Sequence, residues 1–368
     1  MSEAQPLPSD KAFVGPARGL VADLFRPRPG VYWADLLASV AVAYVGFALV
    51  HAAALPWPAR VAAFVLSGLA FYRVAMFTHE LVHLNHREMI GFRIAWNVLV
   101  GLPLLVPTFL YYTHLDHHRP KHYATRDDGE YLPLGRGPAW MIAGFLISGL
   151  WVPALVVLRF AVLTPASWVS AWARSLIHRY ASALVIDPMY ARPAPNDRER
   201  RVWRMQEVIC LVYLWSVAAL VATGRLSWTW VAQAYGLAVF VLTINAVRTL
   251  AAHRYRHLPD ETSGTLVEQL VDSINHPGRP LLTEVWAPVG LRFHALHHLF
   301  PGLPYHALPE AHRRLTEGLP PDSPYHSTNS PSLGASLRQL WRNAAAAARE
   351  RAGATRAGNA NCKTFVAN

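Results

Sequence analysis

Long uncharged apolar stretches alternate with short polar turns along this chain. Residues 36–55 carry no acid, lysine or arginine, and residues 61–77 are interrupted only by Arg73. A Pro-Trp-Pro-Ala-Arg turn at 56–60 joins them, so they predict a tight helical hairpin, each run close to the ~20 residues that cross a bilayer. Residues 208–223 and 226–247 predict a second hairpin, joined through Gly224 and Arg225. Two more runs are uncharged but broken: 94–112 by Gly101, Pro103 and Pro107, and 139–158 by Gly144, Gly149 and Pro153. Such breaks are tolerated at membrane depth where protein buries the freed backbone groups, so both read as re-entrant or interfacial. The expected fold is an all-α integral membrane protein with about four transmembrane helices in two hairpins, re-entrant or interfacial helices, and a cytoplasmic histidine-rich cap. Six full spans is the alternative, and it would put residues 114–118 across the membrane from residue 79.

Composition agrees with this pattern. Hydrophobic residues make up 53% of the 368 and charged residues only 15%, with a mean hydropathy of +0.18, which excludes a disordered or coiled-coil chain. The formal net charge is +11, and only Lys11, Lys121 and Lys363 among the 34 basic residues are lysine. Arginines at the edges of apolar runs suit anionic lipid headgroups better than nucleic acid, so no nucleic-acid partner is expected. The stretch 164–206 holds Arg174, Arg179, Arg192, Arg198, Arg200, Arg201 and Arg204 and by the positive-inside rule is cytoplasmic. No cleavable signal peptide is visible in the first 30 residues, which carry Glu3, Asp10, Lys11 and Asp23. The expected organisation is a cytoplasmic segment at 1–35, a membrane domain at 36–332, and a surface helix with a flexible tail at 333–368, in a bacterial inner membrane with the active site on the cytoplasmic face.

The chemistry lies in the 18 histidines. His-Glu-Leu-Val-His occupies 79–83, His-Leu-Asp-His-His 114–118, and His-Ala-Leu-His-His 294–298. Residues three and four apart share a helix face, so each box is a multidentate ligand, and each abuts an apolar run. Eight imidazoles exceed the four ligands one zinc takes, and two metals are the economical reading. Two cysteines cannot build a cysteine cluster. Imidazole suits iron, copper, zinc and nickel alike, but attack by dioxygen on an unactivated C–H bond needs a redox metal. A ninth ligand is expected where the last span exits, at His253, with His257 as the competing choice. Metal-bound histidines give their second nitrogen to a carboxylate or carbonyl, which makes Glu80, Asp116, Asp127, Asp128 and Glu130 candidates for that supporting role. Arg87, Arg119, Arg126, Arg254 and Arg292 lie beside the boxes and are candidate clamps for a carboxylate or phosphate.

These boxes, with Asn-Ala-Val-Arg-Thr-Leu-Ala-Ala-His at 245–253 and the flanks of the third box through residue 312, resemble the membrane fatty acid desaturase superfamily over roughly residues 60–320. The resemblance implies a non-haem diiron centre on the cytosolic side, held by His79, His83, His114, His117, His118, His253, His294, His297 and His298. It also implies a water-bridged asparagine, for which Asn245 and Asn275 both fit. The implied substrate is a fatty acid or acyl lipid drawn from the membrane. The implied reductant is an external ferredoxin- or rubredoxin-type electron-transfer protein with its reductase. His-Pro-Gly-Arg at 276–279 departs from the His-Pro-Gly-Gly of a fused haem domain and leaves no room for one. Desaturation is the first expectation, with oxidative decarboxylation of free fatty acids to terminal alkenes or lipid hydroxylation as alternatives. Two distant rivals are a zinc protease, since residues 79–83 also fit HExxH, and a metal transporter; the first leaves six box histidines unexplained, and the second needs ligands near mid-bilayer.

Overall fold

The computed structural model describes residues 7–85, 87–259 and 264–365. Among these the chain is all helix, with only isolated backbone bridges in place of strands. Leu-, Ala-, Val- and Phe-rich runs become helices because a lipid-facing backbone must satisfy its own hydrogen bonds. Five helices are long and apolar enough to cross a membrane: Pro29–Leu49, Trp57–His83, Val152–Val169, Asp197–Ala222 and Trp228–Leu250. Their ends follow local chemistry. Pro29 and Pro58 lie in the first turns of the first two helices, where a missing N–H costs nothing. An Asn196–Glu199 capping box opens the fourth helix, and the Ser227 hydroxyl caps the fifth.

Both expected hairpins form, with boundaries shifted by several residues. In the first, the Ser67 hydroxyl donates to the Ala43 carbonyl. A Cβ on Gly68 would come within 2.5 Å of Phe240, so this glycine lets the two hairpins pack closely. Outward-facing Val45, Leu66, Val212 and Trp215 are more than half exposed, an apolar belt that a water-soluble monomer would not present.

The two broken runs both turn back. In the first, helix Ile90–Trp96 passes into a π-turn, and the Asn97 side chain accepts from Thr108 N and Oγ1, tying the descending limb to the returning one. In the second, helix Ala139–Ser148 packs on the Trp228–Leu250 helix, turns at 149–151, and continues as Val152–Val169. At the turn the Leu150 carbonyl accepts from Tyr235, and Ala161 O accepts from Trp215 Nε1 at 3.3 Å. Tyr235 lies seven residues, ~10 Å, inside the 222–228 turn, so the turn at Leu150 meets that hairpin short of its tip. The sequence pattern stops this run at Leu158; the helix continues because the π-turn Arg159–Leu163 accommodates Pro165. Pro165 cannot donate to Ala161 O, and the Trp215 indole takes that place.

A compact cap covers the box-bearing ends. Helix Asp10–Val21 buries Phe13, Ala17 and Val21 against Leu296, Leu299, Leu308 and Leu315. The Asp10 carboxylate accepts from the Leu266 and Val267 amides, so the amino-terminal segment is part of the cap core. Helix Leu333–Phe365 docks through Leu340 and Ala344; the last residues of the expected flexible tail, 366–368, lie outside the described residues, as does His86.

Candidate metal centre

Three short helical pieces and one helix exit converge at one end of the spans. His79 and His83 end the Trp57–His83 helix. His114–His117 forms a single turn on the returning limb. His294–Leu299 is held beneath the cap, where the Asn275 side chain accepts from Leu296 N and donates to Thr328 Oγ1. His253 lies just beyond Leu250, where its backbone bridges Ser273.

The nine predicted histidines fall into two clusters: His79, His83, His114, His118 and His297 in one, and His117, His253, His294 and His298 in the other. Each pair spaced i,i+4 (79/83, 114/118, 294/298) shares a cluster, as one helix face requires. His117 and His297 cross to the opposite cluster from the rest of their boxes. Nitrogen to nitrogen, His117 lies 3.2 Å and His294 2.8 Å from His253 Nε2. His83 Nε2 is 3.1 Å from His297 Nε2, and His114 Nε2 is 2.9 Å from His118 Nε2. Adjacent ligands at right angles around one ion, with bonds of ~2.1 Å, stand ~3.0 Å apart, so the spacing suits a shared metal. Both ring nitrogens of His79, and Nδ1 of His118, His294 and His297, are buried without a hydrogen-bond partner. Buried polar atoms left in that state are costly, and imidazoles brought this close fit metal ions. Burial, followed by the neighbouring imidazoles, holds His114, His118, His294, His297 and His298 well below the ordinary histidine range. They are neutral at pH 7 and ready to coordinate without releasing protons.

His117 is the exception. Burial opposes its charged form, but Asp128 beside it prevails and raises its pKa. Asp128 faces His117 Nδ1 with both oxygens, at 2.8 and 3.0 Å. Glu130 accepts from His114 Nδ1 at 2.9 Å, and burial pushes this carboxyl up to about 7. His253 Nδ1 meets Tyr123 OH at 2.9 Å, and that hydroxyl donates to Asp272 at 2.8 Å. Gln269 contacts both His298 Nδ1 and the His117 carbonyl.

The other candidates point elsewhere. Glu80 accepts from Tyr32 OH at 2.6 Å and from Tyr305 N, not from a box imidazole. Asp116 pairs with Arg119 and His122. Asp127 is exposed. Asn245 accepts from Arg248, whereas Asn275 secures the third box. His257 lies outside both clusters, its ring 6.1 Å from that of Tyr123. Of the candidate clamps, Arg254 is spent on Val271 O and Ser327 O, Arg292 on Pro277 O, Arg119 on Asp116, and Arg87 and Arg126 are exposed. His276 meets Ser336. Asp272 and Gln269 were beyond reach of the sequence because helix Leu266–Asp272 carries no motif, and Tyr123 meets His253 only across the fold.

Residues 55–329 match the family model described as Fatty acid desaturase. The chain is also 42% identical over 337 residues, 91% of its own length and 94% of the other's, to a protein of Caulobacter vibrioides (strain NA1000 / CB15N) named ceramide hydroxylase. With its membrane helices and paired histidine clusters, the chain belongs to the fatty acid desaturase family and is an integral membrane oxidoreductase acting on lipid.

Proposed function

We propose that this protein is a lipid hydroxylase of ceramide-like substrates, with iron held in both histidine clusters. The observation that carries the metal assignment is the convergence of nine imidazoles into two clusters, within each of which one nitrogen per ring lies within 4.8 Å of the others. The name of the 42% identical relative supports oxygen insertion and a ceramide-like substrate over desaturation or decarboxylation.

His79, His83, His114, His118 and His297 would hold one iron, and His117, His253, His294 and His298 the other. Iron, when bound, supplies the redox chemistry by which dioxygen and external electrons break an aliphatic C–H bond. One oxygen atom enters the C–H bond and the other leaves as water, with two electrons and two protons supplied. Asp128, Glu130 and the Tyr123–Asp272 pair fix ring orientation by taking the second imidazole nitrogens. The electrons come from a ferredoxin- or rubredoxin-type donor and its reductase. The arginine-rich segment 164–206 supports an active site on the cytoplasmic face.

The test is to incubate purified, iron-loaded, full-length protein in lipid nanodiscs with a ferredoxin and its reductase. A ceramide, a free fatty acid and a phospholipid are offered separately. A ceramide product heavier by one oxygen is expected. An unsaturated product of equal length would substitute desaturation, an alkene one carbon shorter would substitute decarboxylation, and dioxygen consumption with none of the lipids would overturn the reading.

A further inference from the structure

The spans contain a buried charge that this account has not used. Arg248, five residues before His253, is 8% exposed. Arg73 and Arg159, also deep in helices, are neutralised: Arg73 by Asp35 and Glu284, and Arg159 by Glu207. Arg248 forms no ion pair among the described residues; its Nη2 donates to Asn245 Oδ1 at 3.1 Å, and its Nε is buried with no partner. A buried charge without a direct ion-pair partner costs several kcal/mol, and an ionisable residue inside a membrane domain is by default a functional site whose partner must be named.

The surroundings indicate that partner. The Tyr72 hydroxyl donates to Trp286 O at 2.9 Å and lies close enough to Arg248 to feel its charge. The Arg248 charge acts on histidines of both clusters, namely His79, His253, His294 and His297, and on the Glu130 carboxyl, with which it forms no direct ion pair. Tyr72 lies seven residues before His79, ~10 Å along its helix, and Arg248 lies in the last turn of the Trp228–Leu250 helix that leads to His253. A cation and a hydroxyl therefore stand on the membrane side of the metal clusters, within about two helical turns of them. An enzyme attacking the middle of a hydrocarbon chain would need only methylenes there.

We propose that Arg248 binds an acceptor oxygen, carbonyl or carboxylate, on the lipid substrate, and that the carbon attacked lies within a few bonds of that oxygen. This rests on the lipid-oxidising reading above and adds the position of attack. An amide carbonyl of a ceramide and the carboxylate of a fatty acid share this chemistry, and the guanidinium donates to either. Arg248 is thus a substrate-gripping residue that fixes which methylene faces the irons.

The experiment compares wild type, R248K and R248M as full-length protein in nanodiscs. Radiolabelled C16 ceramide, palmitate and hexadecane are the binding probes, alongside iron content and fragmentation mass spectra of any product. A hydrogen bond to a charged group contributes enough that R248M should bind the oxygen-bearing lipid ~10–100-fold more weakly, with R248K intermediate. Hexadecane binding and iron content should not change. Oxidation by wild type should fall near the head group, and in R248K it should scatter along the chain. Preferential weakening of ceramide supports an amide partner; preferential weakening of palmitate supports a carboxylate. Equal weakening for all three probes, or a wild-type product oxidised in mid-chain, overturns the proposal. If R248M loses iron or its melting transition, R248K and Y72F carry the same comparison. Arg248-dependent palmitate binding without any hydroxylated ceramide would sink the ceramide reading and leave this one standing. A hydroxylated ceramide with unchanged affinity and position in R248K and R248M would do the reverse.

Discussion

Replacing Asp128 by asparagine should weaken one metal site and spare the other. Each Asp128 oxygen has two neighbours: Oδ1 faces His117 Nδ1 and takes Glu130 N at 2.9 Å, while Oδ2 faces His117 Nδ1 and takes Ala124 N at 2.9 Å. Whichever way the amide turns, its NH2 therefore faces a backbone N–H. Exchanging a charge-assisted bond for a neutral one costs ~1–2 kcal/mol, and the opposed donors add ~1–3 kcal/mol. Part of that falls on the fold, because the two backbone bonds form whether or not metal binds. The share reaching the metal should match the ~10–100-fold affinity loss usual when a ligand's supporting group is removed. The assay is iron per chain by mass spectrometry after dialysis against graded chelator. D128N should fall to one iron at chelator concentrations where wild type keeps two, since His117 is the one clustered histidine that Asp128 meets. Retention of both irons across the series, or loss of both together, would refute the reasoning.

Other perturbations separate the roles of neighbouring residues. H253A removes the imidazole that meets both His117 and His294 and should lose one iron and nearly all turnover, whereas H257A should keep both, as metal analysis with lipid product assays will register. E80Q should retain both irons and cost the fold ~1 kcal/mol, read as a lowered melting temperature, because one amide oxygen can still accept from Tyr32 OH and Tyr305 N; abolished turnover with zinc in place of iron would revive the protease reading. Burial pushes His312 down to about 4, and its Nδ1 meets Tyr325 OH at 2.7 Å. Its folded pKa is depressed, so the unfolded chain takes up a proton first as pH falls below ~6.5. The stability it contributes is complete above that pH and is lost towards pH 4. H312Q should flatten this part of the melting-temperature profile, and an unchanged slope would exclude His312 as its source.

How much of this was legible in sequence follows from periodicity. The hairpins were readable because lipid demands continuous apolar runs, and the boxes because i,i+4 spacing puts two imidazoles on one face. Register beyond the last span favours His253 over His257, and the fold brings the His253 ring, not that of His257, into a histidine cluster. Adjacency misled for Glu80 and Asp116: the next residue on a helix is rotated by ~100°, so each carboxylate turns away from its neighbouring histidine. Asp128 and Glu130 were within reach because the chain folds back directly after the second box. Asp272, Gln269 and Tyr123 reach the site only through tertiary packing, for which the sequence carries no local signal. Arg248 stands inside a recognisable motif, but only its burial within a membrane helix without an ion-pair partner marks it out.

If paired histidine clusters direct oxygen into a lipid C–H bond, the product's new oxygen must come from dioxygen. Wild-type protein should be given its lipid, a reducing system and isotopically labelled dioxygen in ordinary water, and the product weighed by high-resolution mass spectrometry. The account predicts a lipid carrying one labelled oxygen atom. A product that has only lost hydrogens, or whose new oxygen comes from water, would contradict it.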